Sequence, residues 1–205
     1  MKLLNRKHAL LSLIIAASLG GAVVTDAVAQ SDRSTERANR KSKNSGKAEE
    51  LYPQSTRTAP TIKPSSKLGS KLQKLIETFN KGEDFPAVRA QADEILANSA
   101  ANEADKALAG QLAAQAAYNM DDTAAAKTYL QQAIALNALD NNGQFQSMLM
   151  LAQLQLQDDQ QAEGLATLDK YLDESKSQRP EDLILKGQAL YLSLIHISEP
   201  TRQEA

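Results

Sequence analysis

A step of 38 residues constrains this chain more than any other feature. Val88, Ala126 and Gly164 stand 38 apart, and Leu72/Leu75/Ile76, Gly110/Ala113/Ala114 and Met148/Leu151/Ala152 keep the same step. Ala92/Ile95/Leu96, Leu130/Ala133/Ile134 and Leu168/Tyr171/Leu172 close the three copies. A fixed period of this length marks stacked supersecondary units, each too small to bury its own apolar face. Within a copy, Leu72, Leu75, Ile76 and Phe79 share one helical face. The expected fold is all-α, a right-handed α-solenoid of helical hairpins over residues 68–191, cut short in a fourth unit.

Turn chemistry divides each copy in two. Lys81-Gly82-Glu83-Asp84 is the first turn, with Pro86 suited to the opening turn of the next helix. Asp121-Asp122-Thr123 and Asp158-Asp159 are the equivalent turns of the second and third copies, and Asn141-Asn142-Gly143 reads as a loop between copies. Helices are expected from about Glu103 to Asn119 and onward to about Leu136. Leu183, Gly187 and Leu190 start the first helix of a fourth unit whose second helix is missing, so their stripe is expected to lack a partner within the unit.

The two ends read differently from the body. Lys2, Arg6 and Lys7, the apolar run Ala9–Gly20 and the small-x-small site Ala27-Val28-Ala29 form the pattern of a secretory signal peptide over 1–29. Secretion across the inner membrane to the periplasm follows, without an integral span once the leader is removed. Residues 30–67 lack periodicity, are rich in Ser, Thr, Lys and Arg, and contain Pro53, Pro60 and Pro64. They read as a disordered basic linker, with Leu51-Tyr52-Pro53 as an apolar point able to cap the first helix. The basic stretch 33–47 offers a contact to anionic envelope surfaces. Leu192–Arg202 resembles the in-frame translation of a transposon-end adapter used in DNA library preparation. Residues 192–205 are therefore expected to be a non-native tail, β-prone over Leu192–Ile197.

Composition narrows the chemistry. The only histidines are His8 and His196, and the chain has no Cys and no Trp. Residues 30–191 thus lack the commonest acid–base group and the strongest nucleophile. They also lack imidazole and thiolate metal ligands. Asp121/Asp122 and Asp158/Asp159 fall at turns, where acids serve as solvated turn residues and helix caps. No enzyme activity, cofactor or metal site is expected. Residues 30–74 carry eleven Lys/Arg against four Asp/Glu, and residues 75–191 carry eight against eighteen. A basic tail is joined to an acidic body, and nucleic acid is not an expected partner.

The small residues at the helix crossings, Ala114, Ala152 and Gly187 in first helices and Ala126 and Gly164 in second helices, carry a resemblance to the tetratricopeptide repeat. Ile76 and Val88 depart from that pattern, as do Ala117 and Gln155, which stand where Phe79 stands in the first copy. Glu50-Leu51-Tyr52-Pro53, Lys71–Leu75, Leu139–Gly143 and Met150–Gln157 further resemble a proteobacterial family of secreted, longer tetratricopeptide proteins. Its members are often encoded beside TonB-type genes. That resemblance implies an accessory role in TonB-linked outer-membrane uptake.

Stacked hairpins of this kind hold partners on the face made by their first helices. The residues expected there are Gln73, Glu77 and Asn80; Gln111, Gln115, Tyr118 and Asn119; and Gln146, Leu149, Gln153, Leu156 and Gln157. Carboxamides both donate and accept, so such stripes can read a peptide backbone. The expected function is a non-enzymatic periplasmic scaffold for a protein or peptide partner. A structural spacer within a longer solenoid and a helical-shell hydrolase are the alternatives.

Overall fold

The structure, a computed structural model, describes residues 50–198. The leader, the first part of the linker (30–49) and the tail end (199–205) lie outside the described residues. A single 3-10 turn, Ser66–Leu68, leads into α1 (Gly69–Lys81), α2 (Phe85–Leu96), α3 (Glu103–Asn119), α4 (Thr123–Leu136), α5 (Asn141–Gln157), α6 (Gln161–Ser175) and α7 (Pro180–Ser198). Among the described residues there is no strand, and no helix is long and apolar enough to cross a membrane. Each helix packs on the next, and α1 also reaches α3. This succession is compatible with an α-solenoid.

The small residues of the 38-residue step sit where helices meet. Ala114 and Ala126 are fully buried, sharing a cluster with Leu130, Leu151 and Leu154. A Cβ at Gly164 would lie 2.7 Å from the Leu156 side chain, and one at Gly110 would lie 3.3 Å from that of Ala133. Bare or methyl-only positions are what allow such approach. The first core, around Leu72, Leu75, Val88, Ala92 and Ile95, continues into α3 through Ala109, Leu112 and Ala113.

The turns within the pairs repeat their geometry. Gly82, Asp121 and Asp159 all adopt positive φ, at 69°, 59° and 58°. Asp84 and Asp122 cap α2 and α4 by accepting from the Ala87 and Ala125 amides. The aspartates read as turn and cap residues occupy those roles. The same edge carries an ionic ladder between successive copies. Arg89 of α2 reaches Asp122, at 2.8 Å, and Lys127 of α4 reaches Asp158. The third copy has Leu165 at the corresponding position.

Two expectations need correction. Asn141-Asn142-Gly143 is not a loop but the first turn of α5, because Asp140 accepts from the Gly143 amide at 2.7 Å and caps the helix there. In α7 the buried residues are Asp182, Leu185 and Ala189, while Leu183 and Leu190 are 51% and 46% exposed and Gly187 has open space beside it. α7 thus packs by another face, and the Leu183/Gly187/Leu190 stripe is left open, as expected. Leu192–Ile197 is helical rather than extended, continuing α7.

The largest departure concerns residues 52–67, expected to be disordered. They run as a strap along the edge that carries the connections between copies, with a turn at Pro53-Gln54 closed by the Ser55 amide on the Tyr52 carbonyl at 3.1 Å, and the chain from Tyr52 onward forms one unit. Tyr52 is 2% exposed. It packs edge-on against Phe145 and Tyr171, with centroids at 5.0 and 6.0 Å. The Thr56 amide donates to the Glu174 carbonyl at 2.9 Å. Arg57 donates to Asn137 Oδ1, Asn141 Oδ1 and the carbonyls of Asn137 and Leu139, and its own carbonyl accepts from Asn141 Nδ2. Ser65 donates through its amide and hydroxyl to the two oxygens of buried Asp105, both at 2.7 Å. Leu68 then enters the first core. Composition fails here because order comes from a single buried ring, Tyr52, and from polar groups at helix ends, which need partners. Tyr52 caps no part of α1; its neighbours belong to α5, α6 and the start of α7.

Candidate functional site

An open groove of about 390 Å³ lies between α1 and α3, lined by Leu72, Gln73, Ile76 and Glu77 of α1, Leu108 of α3, and the strap end Pro64–Ser66 with Gly69. Its volume is at the lower end of the range for ligand pockets, roughly 300–1,000 Å³. Each wall has a local cause. Leu72 is anchored in the core at 4% exposure, which fixes the phase of α1 and turns Ile76 outward, 37% exposed. Ser65, tied to Asp105 at the start of α3, holds the strap end in place. Asp105 is itself fixed by a reciprocal cap with Asn102, each accepting from the other's amide at 2.9 Å. Gly69 opens α1 in ordinary helical geometry, and a Cβ there would meet nothing within 4 Å.

The polar part of the groove is a Gln73–Glu77 pair, with Gln73 Nε2 donating to Glu77 Oε1 at 2.9 Å. Both side chains are exposed. The Ser65 hydroxyl in the groove wall donates to Asp105, a carboxylate also engaged by the Ser65 and Asn102 amides. Among the described residues no cluster of three or more His, Asp or Glu is arranged to hold a metal. An apolar floor with one hydrogen-bonding pair at its rim suits an aliphatic side chain presented beside a peptide backbone.

Of the residues expected to form a binding face, only Gln73 and Glu77 line this groove. Asn80 and Asn119 are exposed elsewhere, and Asn119 Nδ2 donates to the Gln115 carbonyl of its own helix. Gln111 is half-buried, with Nε2 donating to the Gly143 carbonyl at 3.3 Å, so it joins α3 to α5. Tyr118 is half-buried against the α3–α5 cluster. Gln115, Gln146, Leu149 and Gln157 are half-buried. Gln153 and Leu156 contradict the expectation outright, at 7% and 3% exposure. Leu156 lies over Gly164, in the contact between α5 and α6. The single-stripe reading fails because α5 is covered on most of its circumference, so residues off its apolar stripe are buried too.

Sequence reasoning missed Pro64–Ser66, Gly69, Ile76 and Leu108 as groove walls. Ile76 did carry a signal, since a large residue stands where the other copies have Ala114 and Ala152. No protein-family model and no curated protein sequence matches the chain.

Proposed function

We propose that this chain is a non-enzymatic protein-interaction scaffold, a right-handed α-solenoid of tetratricopeptide-type hairpins, that holds an extended peptide at the α1/α3 groove. The carrying observation is the groove itself, with exposed Ile76 in its wall and the Gln73–Glu77 pair at its rim. Burial of an aliphatic side chain supplies affinity, about 1.5–3 kcal/mol for one fully buried residue. The carboxamide and carboxylate orient the backbone beside it. The leader-like residues 1–29 support a periplasmic setting for this binding. The absence of Cys, and of His between residues 9 and 195, supports a role without catalysis.

The test is selection of random linear peptides on the intact chain, followed by measurement of the enriched sequences on Gly69→Leu. The substitution introduces a side chain into the groove at a helical position where a Cβ has room. Enriched peptides should share an aliphatic anchor and lose about tenfold or more in affinity, the scale of one such anchor. Lack of enrichment, or equal affinity for both chains, would overturn the reading.

A further inference from the structure

We propose that the edge groove filled by residues 52–57 is a second peptide-binding site, occupied in cis. Its trans ligand is a peptide carrying a tyrosine that opens a β-turn and, five residues on, an arginine, as the cis segment does with the Ser55 amide on the Tyr52 carbonyl at 3.1 Å. The internal occupant combines one backbone–backbone bond, from the Thr56 amide to the Glu174 carbonyl, with two side-chain anchors of the kind that read a peptide sequence. The tyrosine ring enters an aromatic socket made by Phe145 and Tyr171, whose own centroids are 6.2 Å apart. The Arg179 guanidinium lies 5.2 Å from the Tyr52 ring centroid and donates to the Tyr52 hydroxyl at 3.2 Å.

The socket is rigid before any ligand is considered. Buried Asp182 accepts from Tyr171 and Ser177, both at 2.6 Å, and from Arg179 Nε at 2.9 Å. Four bonds from the Arg57 guanidinium then read the ends of two helices, a fork geometry that lysine cannot reproduce. Between these anchors Pro53 and Gln54 are exposed and carry no recognition. Specificity therefore resides in the tyrosine and the arginine.

The cis occupant is built to be exchanged. Its anchors are separated from the groove-side anchor at Ser65 by a bridge in which Thr58, Ala59, Thr61, Ile62 and Lys63 are all exposed. Residues 52–57 can leave their sites while Ser65 and Leu68 stay in place, because no described contact of the bridge must break. An incoming peptide with the same two side chains gains the same bonds. Its apparent affinity is reduced by the fraction of time the strap occupies the site.

The probe is a fluorescein-labelled peptide of residues 50–58, Glu-Leu-Tyr-Pro-Gln-Ser-Thr-Arg-Thr, titrated into the full 205-residue chain. Two receptors are compared, the unaltered chain and the Tyr52→Ala/Arg57→Ala variant, whose site is vacated. The variant should bind about tenfold or more tightly than the unaltered chain, and should reject a peptide with alanine in place of its tyrosine. Gly69→Leu added to the variant should leave binding unchanged, so failure here is distinguishable from failure of the α1/α3 groove. Equal binding by both receptors, or equal binding of the alanine peptide, would overturn the proposal. If the variant loses helical circular dichroism, the same peptide is offered to a chain cut at a protease site inserted between Thr58 and Ala59. Exchange with the severed strap supports the proposal, and no exchange overturns it.

Discussion

The two edges of the helix array are held by different kinds of chemistry. On the edge of the within-pair turns, the parts recur close to the 38-residue step, in positive-φ residues at 82, 121 and 159 and ion pairs Arg89–Asp122 and Lys127–Asp158. On the opposite edge the helix caps recur, with Asn102 and Asp140 capping α3 and α5 and Asn137 and Lys176 closing α4 and α6 at positive φ, but the tie that runs across them does not. One strap crosses three connections, using Tyr52, Arg57 and Ser65 once each, with partners 40 to 127 residues away in sequence. The ladder joins neighbours to neighbours, whereas the strap ties α1 to the start of α7. A repeat array in which each unit touches only the next has no such long-range tie, so the strap makes the described array more cooperative than its repeats alone would.

The comparison breaks most visibly at Tyr52. Tyr52→Ala removes a buried ring from the socket and should cost about 3–5 kcal/mol, as for other large aromatic truncations. The expected readout is a lower urea midpoint together with rapid proteolysis between residues 52 and 62. An unchanged midpoint would reduce the strap to a passive covering.

The period-borne core is tested at the α3/α4 crossing. Ala126→Leu should cost about 1–3 kcal/mol through overpacking, while Ala124→Leu, on the exposed side of α4, should leave the urea midpoint nearly unchanged. Ala125 is not the right control, because it is half-buried against the same cluster as Ala126. Equal midpoints for the 124 and 126 variants would show that the helix phase is wrong.

That contrast also marks what could be read in advance. The helices were legible because burial recurs at helical spacing over three copies, and α3 and α4 end where turn chemistry places them. The strap was not legible, because its order depends on helix ends that exist only after the body has folded. Ser65 and Arg57 look like any polar residues of a solvated segment until Asp105, Asn137 and Asn141 are brought to them. The groove was half legible. Gln73 and Glu77 were found from spacing on α1, an outer helix with one covered side. Gln153 and Leu156 were misplaced because α5 is an inner helix with little free side.

The edges should also fail at opposite ends of the pH scale. Burial first, then the Asp182 hydrogen bond, raises the Tyr171 pKa, and burial raises that of Tyr52. Stability from these neutral hydroxyls is complete below the ordinary tyrosine value of 10.0 and is lost as pH rises above it. The Ala125 amide and then Arg89 lower the Asp122 pKa, so its contribution is present above the ordinary value of 3.8 and lost as pH falls below it. Hydrogen exchange should therefore show the strap loosening first in alkali. The ladder should loosen in acid, with the strap still docked as the turns begin to fray.

The smallest effect belongs to the ladder. Arg89→Ala removes a half-buried but solvent-accessible pair with Asp122 and a 3.3 Å bond to Tyr129, whose hydroxyl remains paired with Asp93. Solvent-screened pairs contribute little, so the urea midpoint should move little and less still in high salt. A loss as large as that of Tyr52→Ala would invert the ranking of the two edges.

The most direct test of the account is amide hydrogen exchange at Thr56 in the intact chain. Thr56 has an exposed side chain in a Ser/Thr/Pro-rich segment, yet its amide donates to the Glu174 carbonyl at 2.9 Å. The account predicts that this amide exchanges at least about a hundredfold more slowly than unstructured chain, as for a docked segment that opens only locally. It also predicts that Tyr52→Ala abolishes the protection while the amides of α3 keep theirs. Exchange of the Thr56 amide at the unstructured rate in the unaltered chain would contradict the strap.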